Sequence, residues 1–441
     1  MKENMIVFLV EGTALYFFVI ACLYFLLLVL SWIKMRRYQG MTRAAELPGV
    51  SFLIPAFNEE SLIVETIQTY LSLSHEKKEI IVINDGSSDQ TMRLLSTMYL
   101  LRKVKEHSYV SITHPELRIV NVPHMGKAQA LNQGLHHAKY DLICTMDADT
   151  IPSRDGVEAC LSAFAQDKTL IAAGGVIQVM NSGTLKNHLP VEGKASWLST
   201  FQRIEYLRTF VCERLGWSLL DSTILISGAF CMVKKVAVER VGGFNHRSIT
   251  EDFDLIVRLR KAYGEDEHRM RILPVTTCYT QVPGSVRHLM RQRVRWQLGL
   301  MQTLFQNTSL LLNPKHGILG LVAMPYMWLV ELLSPIFELT AYVAIPLGWM
   351  TGVVSHEAAV AWVGVALFYN FFLSLAGLYL DQKYISKRPN LSWKKMVMGS
   401  LFIHMGYKQM TMWWRFRALL KMVSNHQHWG EKPREEIFIV T

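Results

Sequence analysis

Cysteine is scarce: six residues in 441, with no two placed as a CxxC pair. Small scaffolds stapled by disulfides are cysteine-dense, so that class is excluded and the thiols fit a reducing compartment. Charge is scarce as well, at 19% of residues. A chain that stays disordered has few apolar side chains and much charge, whereas half of these residues are apolar. Acidic residues are the minority sign, 36 against 46 basic, which leaves a net charge of +10. No nucleic-acid-binding motif accompanies that excess, so no nucleic-acid partner is expected. In a membrane protein such an excess collects at the cytoplasmic leaflet. The mean hydropathy of +0.18 lies between a soluble enzyme and a transporter. The length allows roughly two or three domains, and a soluble domain joined to membrane spans satisfies both numbers.

From Gly12 to Ile33 the chain is apolar and uncharged, long enough to cross about 30 Å of hydrocarbon. Lys34, Arg36, Arg37 and Arg43 follow at once. The segment reads as an anchor, and the positive-inside rule puts everything after Lys34 in the cytosol. Apolar character returns at Gly317. Ile318–Val354 is interrupted by Glu331, Pro335 and Glu338 and reads as one kinked span or a hairpin. Ala358–Leu380 is a clear span, and Met396–Trp414 a further candidate that contains Lys408. Four or five spans are expected, some lying in the interface.

Between them, short apolar runs alternate with helical spacing. Val50–Ile54, Glu79–Asn84, Leu117–Val122 and Leu142–Met146 read as strands. Ser61–Leu73, Thr91–Val104 and Gly126–Ala138 read as helices. This alternation implies a parallel sheet covered by helices on both faces. Ligands bind outside the carboxyl ends of such strands. Asn58-Glu59, Asp85 and Asp147–Asp149 therefore share one rim.

Asp147-Ala148-Asp149 puts two carboxylates at a strand end, where they can hold a hard cation that bridges the phosphates of a nucleotide sugar. The tripeptide alone reads more often as a solvated turn. Thr250-Glu251-Asp252 precedes the apolar helical run from Phe253; taken alone it reads as an N-cap, though one of its carboxylates can also face an acceptor hydroxyl. Gln292, Arg295 and Trp296 form Q-x-x-R-W on one helix face. They suit a diphosphate and a stacked sugar, or equally a basic membrane-surface helix. Gly126-Lys127 opens a helix and is a phosphate candidate. Ser227-Gly228-Ala229 offers small residues that let a sugar, or a packed neighbour, approach the backbone.

Together, Pro55-Ala56-Phe57-Asn58-Glu59, Asn84-Asp85-Gly86-Ser87-Ser88-Asp89, Gly126-Lys127-Ala128, Asp147-Ala148-Asp149, Ser227-Gly228-Ala229, Thr250-Glu251-Asp252 and Q-x-x-R-W occur in order. In this the chain resembles the processive family-2 inverting glycosyltransferases of membranes, which include cellulose, hyaluronan, chitin and poly-N-acetylglucosamine synthases. The resemblance covers about residues 48–300.

It implies an α/β fold of GT-A type, a nucleotide-sugar-binding domain with a mostly parallel sheet joined to α-helical transmembrane segments. The implied divisions are an anchor (1–43), a cytosolic transferase domain (44–285), an interface helix with QxxRW (286–316), membrane or interface helices (317–423) and a cytosolic tail (424–441). Asn58, Glu59 and Asp85 would form the uridine pocket, with Lys127 helping to bind the nucleotide or its phosphates. Asp147 would contact the donor, and Asp149 would hold Mg²⁺ or Mn²⁺. Asp252 would be the general base. Gln292 and Arg295 would hold the diphosphate. Trp296 would floor the acceptor site, beside Ser227, Gly228 and Glu251. Gln202-Arg-Ile-Glu205-Tyr206 resembles a Q-x-x-E-Y segment of some relatives, and His426–Lys432 a W-G loop of others. Ala172–Asn181 departs from the family's T-G-N-P-R pattern.

The expected function is a multi-pass inner-membrane enzyme that polymerises a UDP-sugar into a β-linked polysaccharide and translocates it. UDP-GlcNAc is favoured over UDP-glucose. Its partners would be the donor, a growing glycan or lipid-linked acceptor, the bilayer and a small accessory membrane subunit. The alternatives are a single-addition transferase acting on a lipid carrier and, more remotely, a dead transporter or scaffold.

Overall fold

The computed structural model describes residues 2–38, 44–180, 184–186, 189–191, 195–264, 269–385 and 392–424. The chain forms two compact units. One holds Arg37–Ala195 and Leu220–Val282; the other holds Met1–Arg36, Ser196–Leu219 and Pro283–Thr441. The stretch 196–219, inside the expected domain 44–285, groups with the N- and C-terminal helices.

The first unit is built on a ten-stranded sheet. Its strands are β1 (Val50–Ala56), β2 (Lys78–Asp85), β3 (Leu101–Lys105), β4 (Ser108–Ser111), β5 (Leu117–Val122), β6 (Leu142–Thr145), β7 (Thr150–Pro152), β8 (Leu170–Val179), β9 (Cys231–Lys234) and β10 (Arg269–Thr280), in the order β3-β4-β5-β2-β1-β6-β9-β8-β10-β7. The three longest ladders, β8–β10, β1–β2 and β2–β5, are all parallel. β9 enters antiparallel between β6 and β8. Phe52, Leu53, Ile54 and Ile80 to Ile83 have no exposed surface. Each such side chain stabilises the fold by about 1.5–3 kcal/mol, and burial on both faces is what continuous apolar strands require. Because β2, β1 and β6 run parallel side by side, their carboxyl ends share one rim, as the alternation predicts.

The longer helices of this unit are α2 (Ile63–Leu71), α3 (Thr91–Tyr99), α4 (Lys127–His137), α5 (Arg154–Gln166) and α7 (Glu251–Tyr263), with a short helix at Lys235–Arg240 after β9. The helix expected over Thr91–Val104 stops at Tyr99. Leu100 turns left-handed at φ 45°, and the Ser111 hydroxyl caps the Tyr99 carbonyl at 2.7 Å. The residues beyond form the hairpin β3–β4 at the sheet edge.

The second unit is helical: α1 (Lys2–Arg37), α6 (Trp197–Leu207), α8 (Val286–Gln306), α9 (Ser334–Met350), α10 (His356–Leu380), α11 (Trp393–Phe402) and α12 (Tyr407–Ser424). Met5–Arg37 and His356–Ile385 are long and apolar enough to cross a membrane, and Leu319–Leu332 with Ser334–Met350 forms a pair bent by 50° at a break. That gives two candidate spans among the described residues, or three, rather than four or five. Met396–Trp414 fails because it is broken between α11 and α12, where Gly406 has φ 103°. Its Lys408 is ion-paired with Glu338 at 3.2 Å. The Gln297 amide donates to the Leu332 carbonyl (3.0 Å) and accepts from Arg415 Nε (2.7 Å), so polar side chains between these helices are satisfied by one another.

Candidate active site

At the end of β1, Asn58 sits at φ 57°. Its Oδ1 accepts from the Ser88 amide (2.8 Å), and its own amide donates to Ser87 Oγ (3.0 Å). Asp89 and Glu60 reciprocate: Asp89 Oδ2 accepts from the Glu60 amide, and Glu60 Oε2 from the Gln90 amide. Asn58 therefore stitches two rim loops together. Asp85, at the end of β2, is buried. Its oxygens accept from the amides of Met125 (2.7 Å) and Gly126 (2.9 Å), and Nδ1 of His124 lies 3.0 Å from Oδ2. Asp85 thus fixes the loop that starts α4, where Gly126 at φ 87° takes a conformation open to glycine. The His124 ring stacks on the half-exposed Phe57 with centroids 4.2 Å apart. His124 escaped the sequence reading, although it stands two residues before the Gly126-Lys127 signal.

Lys127 then reaches across the rim. Its Nζ lies 2.6 Å from Asp147 Oδ1 and 2.8 Å from Glu251 Oε1. Burial pulls its pKa down, but the carboxylates of Asp147, Glu251 and Asp252 outweigh it and hold the ammonium charged. The remaining carboxylates of the rim are left short of positive charge. Burial, with Asp147 beside it, pushes Asp149 up to about 6. Burial, with Asp149 and Asp147 facing it, pushes Glu59 up to about 7.

This donor set fits a hard divalent cation. Among the described residues no three His, Cys, Asp or Glu side chains enclose an ion. One or two carboxylates with phosphate oxygens and water are, however, the usual shell of Mg²⁺. Asp149, with Asp147 beside it, would supply the protein's part.

Asp252 opens α7. Its Oδ2 accepts from the Gly228 amide at 2.7 Å and its Oδ1 from the Phe253 amide at 2.9 Å. The N-cap expectation for Thr250 fails: its hydroxyl is buried without a hydrogen-bond partner among the described residues. Burial, then the Glu251 charge, raises the Asp252 pKa, against Lys127 and the two amides. The loop before α7 is pinned twice. Asn132 on α4 exchanges two 2.8 Å hydrogen bonds with the Phe244 backbone. Arg258 bonds the carbonyls of Val241 (2.6 Å) and Gly243 (2.9 Å) and the Asp254 carboxylate (2.7 Å). Apart from the i,i+4 pair Asp254–Arg258, these bonds join residues 15 or more apart along the chain and leave no local sequence signal. A cavity of about 10 Å³, room for about one water, lies against Lys127, Phe244, Glu251 and Asp252.

The small residue at 228 serves the carboxylate. A Cβ there would lie 3.1 Å from Asp252 Oδ2 and 3.2 Å from its Cβ. Gly228→Ala is therefore expected to push the Asp252 carboxylate off its amide and lower kcat by about 10²-fold with little change in thermal stability. Steady-state kinetics beside a melting curve would check both halves; unchanged kcat would show that Asp252 has slack. Ser227 Oγ accepts from the Ala229 amide at 3.4 Å and shapes the same turn.

Gln292, Arg295 and Trp296 lie on α8, in the helical unit. Arg295 is exposed, while Gln292 and Trp296 are half-buried. The Gln202 amide donates to the carbonyls of Pro283 (2.9 Å) and Leu198 (3.2 Å). His426–Lys432 lies outside the described residues.

Residues 51–239 match Glycosyl transferase family 2. Poly-beta-1,6-N-acetyl-D-glucosamine synthase of Staphylococcus aureus (strain COL) is 35% identical over 263 residues, 59% of this chain and 57% of that protein. The Staphylococcus epidermidis protein of the same name is 32% identical over 262 residues, with the same coverage. The chain thus spans 57% of the length of these curated relatives. A mannosyltransferase from Pyrobaculum calidifontis, solved with GDP-Man and Mn²⁺, superposes with a TM-score of 0.59 over 94% of this chain and 99% of that one, at 19% identity. That likeness is one of fold. With the rim carboxylates in place on a sheet of this topology, the fold is of GT-A type and residues 51–239 resemble a family-2 glycosyltransferase domain.

Proposed function

We propose that the chain is a multi-pass membrane glycosyltransferase that builds a β-linked polysaccharide from a UDP-sugar, UDP-GlcNAc before UDP-glucose, on the cytosolic side of the inner membrane. The observation that carries the reading is the Asp252 carboxylate, aimed by two backbone amides beside the Lys127–Asp147–Glu251 ion pairs. Asp252 accepts the proton of an acceptor hydroxyl as that oxygen attacks the anomeric carbon. The carbon–oxygen bond to the diphosphate breaks, UDP leaves with the electron pair, and the centre inverts from α to β. Asp149 would hold Mg²⁺ or Mn²⁺, which would supply charge neutralisation at the diphosphate; the mannosyltransferase of similar fold was solved with Mn²⁺.

Asp85 and Asn58 shape the nucleoside pocket by holding its loops, and Glu59 borders it. Lys127 and Asp147 face the phosphates, while Ser227, Gly228 and Glu251 border the acceptor. The roles of Gln292 and Arg295 at the diphosphate and of Trp296 at the acceptor rest on the family motif alone. The UDP-GlcNAc preference rests on the named activity of the staphylococcal relatives. Processivity, translocation and a small accessory subunit belong to the same proposal.

The test is UDP release by the solubilised protein with Mn²⁺ and a panel of UDP-sugars, followed by sizing and linkage-specific digestion of the product. A long polymer from UDP-GlcNAc is expected. A lipid carrying a single added sugar would replace the polymerase with a single-addition enzyme.

A further inference from the structure

Glu205 lies on α6, far along the chain from the Q-x-x-R-W helix, yet its carboxylate takes Nη2 of Arg293 at 2.5 Å. The Tyr407 hydroxyl of α12 donates to the same oxygen at 2.6 Å. Arg293 is buried, and its guanidinium carbon stands 4.6 Å from the centroid of the Trp296 ring. Arg293 and Trp296 are three residues apart on α8, the spacing at which helix side chains meet. We propose that Glu205, acting through Arg293, is the positioning residue for the Trp296 indole, and that this tether sets how the enzyme uses its acceptor. The proposal rests on the acceptor role assigned to Trp296 above.

The physical argument starts from the charge. A guanidinium buried this deeply needs a counter-charge, and Glu205 is the acidic group that supplies it. Tyr407 fixes the carboxylate in turn, and the Phe201 ring, one turn before Glu205 on α6, lies 5.2 Å from the Tyr407 ring. The guanidinium plane is thus pinned by groups from two other helices before it meets the indole. A cation over an indole is attracted to the ring face, so any rotation of Trp296 loses that contact. A half-buried tryptophan without such a partner samples several rotamers. One ring face belongs to Arg293, and the other stays in one orientation for a sugar to stack on. This preorganisation lowers the ordering cost of binding. The basic residues of Arg291-Gln-Arg-Val-Arg-Trp therefore divide: Arg293 points inward to support the indole, while Arg295 is exposed.

The test uses the full chain in detergent, UDP-N-acetylglucosamine as donor and short β-linked N-acetylglucosamine oligomers as acceptor. Transfer and acceptor-independent donor hydrolysis are read separately. Glu205→Gln and Arg293→Lys are each expected to raise the acceptor KM roughly three- to tenfold and to leave hydrolysis unchanged. Arg293→Lys keeps the ion pair but loses the planar stacking group, so it remains informative where Glu205→Gln folds poorly. In a Trp296→Ala background neither substitution should change the acceptor KM further. Calorimetric titration of the oligomer needs no turnover and should show the same loss of affinity.

Equal loss of transfer and hydrolysis, or an effect that persists without the indole, would make the pair a structural bond only and overturn the proposal. A Trp296→Ala enzyme with unaltered oligomer affinity would instead remove the acceptor role of the indole, and the proposal with it. A Trp296→Ala defect that the pair variants do not share would overturn the tether while leaving that role standing.

Discussion

Asp252→Asn is expected to lower kcat by roughly 10²–10⁴-fold without weakening donor binding. The amide preserves shape but cannot accept the acceptor's proton. Thermal stability should not fall. Burial and Glu251 both disfavour the Asp252 charge in the folded protein, so neutralising it relieves a strain that offsets the one hydrogen bond lost where the new NH2 meets a backbone N–H. The same shift sets the sign of the pH dependence. A base with a raised pKa is protonated and idle on the acid side, so kcat/KM should climb as pH rises through a value above the ordinary aspartate range. Glu251→Gln removes the nearest like charge and leaves Lys127 with more of its own, so it should move that acid limb to lower pH. Titration of kcat/KM in both enzymes, with donor affinity from calorimetry, would check these claims. Turnover retained in Asp252→Asn would strip Asp252 of its role as base.

Removal of divalent metal should be nearly as severe, costing roughly 10³-fold or more in rate, because several kcal/mol of charge stabilisation at the leaving group is lost. Asp149→Asn should reproduce that loss even in excess Mn²⁺. A second readout needs no turnover. Mn²⁺ at about a hundred times its Kd should stabilise the native protein by about 2.7 kcal/mol, visible as a rise in melting temperature, and should do little for Asp149→Asn. Without metal the variant should melt no lower than the native chain. Burial and then Asp147 hold Asp149 above its usual carboxylate range, burial and then Asp149 do the same to Glu59, and the substitution removes one of these repelling charges. Full activity in EDTA would end the metal assignment.

Where the physics is local, the sequence announces it. The apolar runs Val50–Ile54 and Glu79–Asn84 lie in β1 and β2, and the polar residues after them fall on the rim that parallel pairing imposes. The misreadings have local causes too. Thr91–Val104 looked helical because its apolar spacing is ambiguous until Leu100 adopts φ 45°. Met396–Trp414 looked continuous because hydropathy averages over the break at Gly406. The supporting groups stayed invisible. Asn132 meets Phe244 and Glu205 meets Arg293 across long stretches of chain, and an asparagine or a glutamate in a helix looks the same whether it faces water or a partner.

The chain order of the helical unit also bears on how the protein is made and handled. Residues 196–219 leave the ribosome well before α10 and α11. Yet Gly216 is packed against the Leu27 backbone, Gly377 against Cys212, and Gly399 against Thr200 and Ile204. Until the later helices arrive, the apolar face of 196–219 has only α1 to shield it, which makes this stretch a natural client for chaperones during synthesis. A recombinant fragment cut at 44–285 would keep that face and discard α1, α10 and α11, which pack on it. Such a fragment should precipitate, whereas one with 196–219 replaced by a short polar linker should stay in solution.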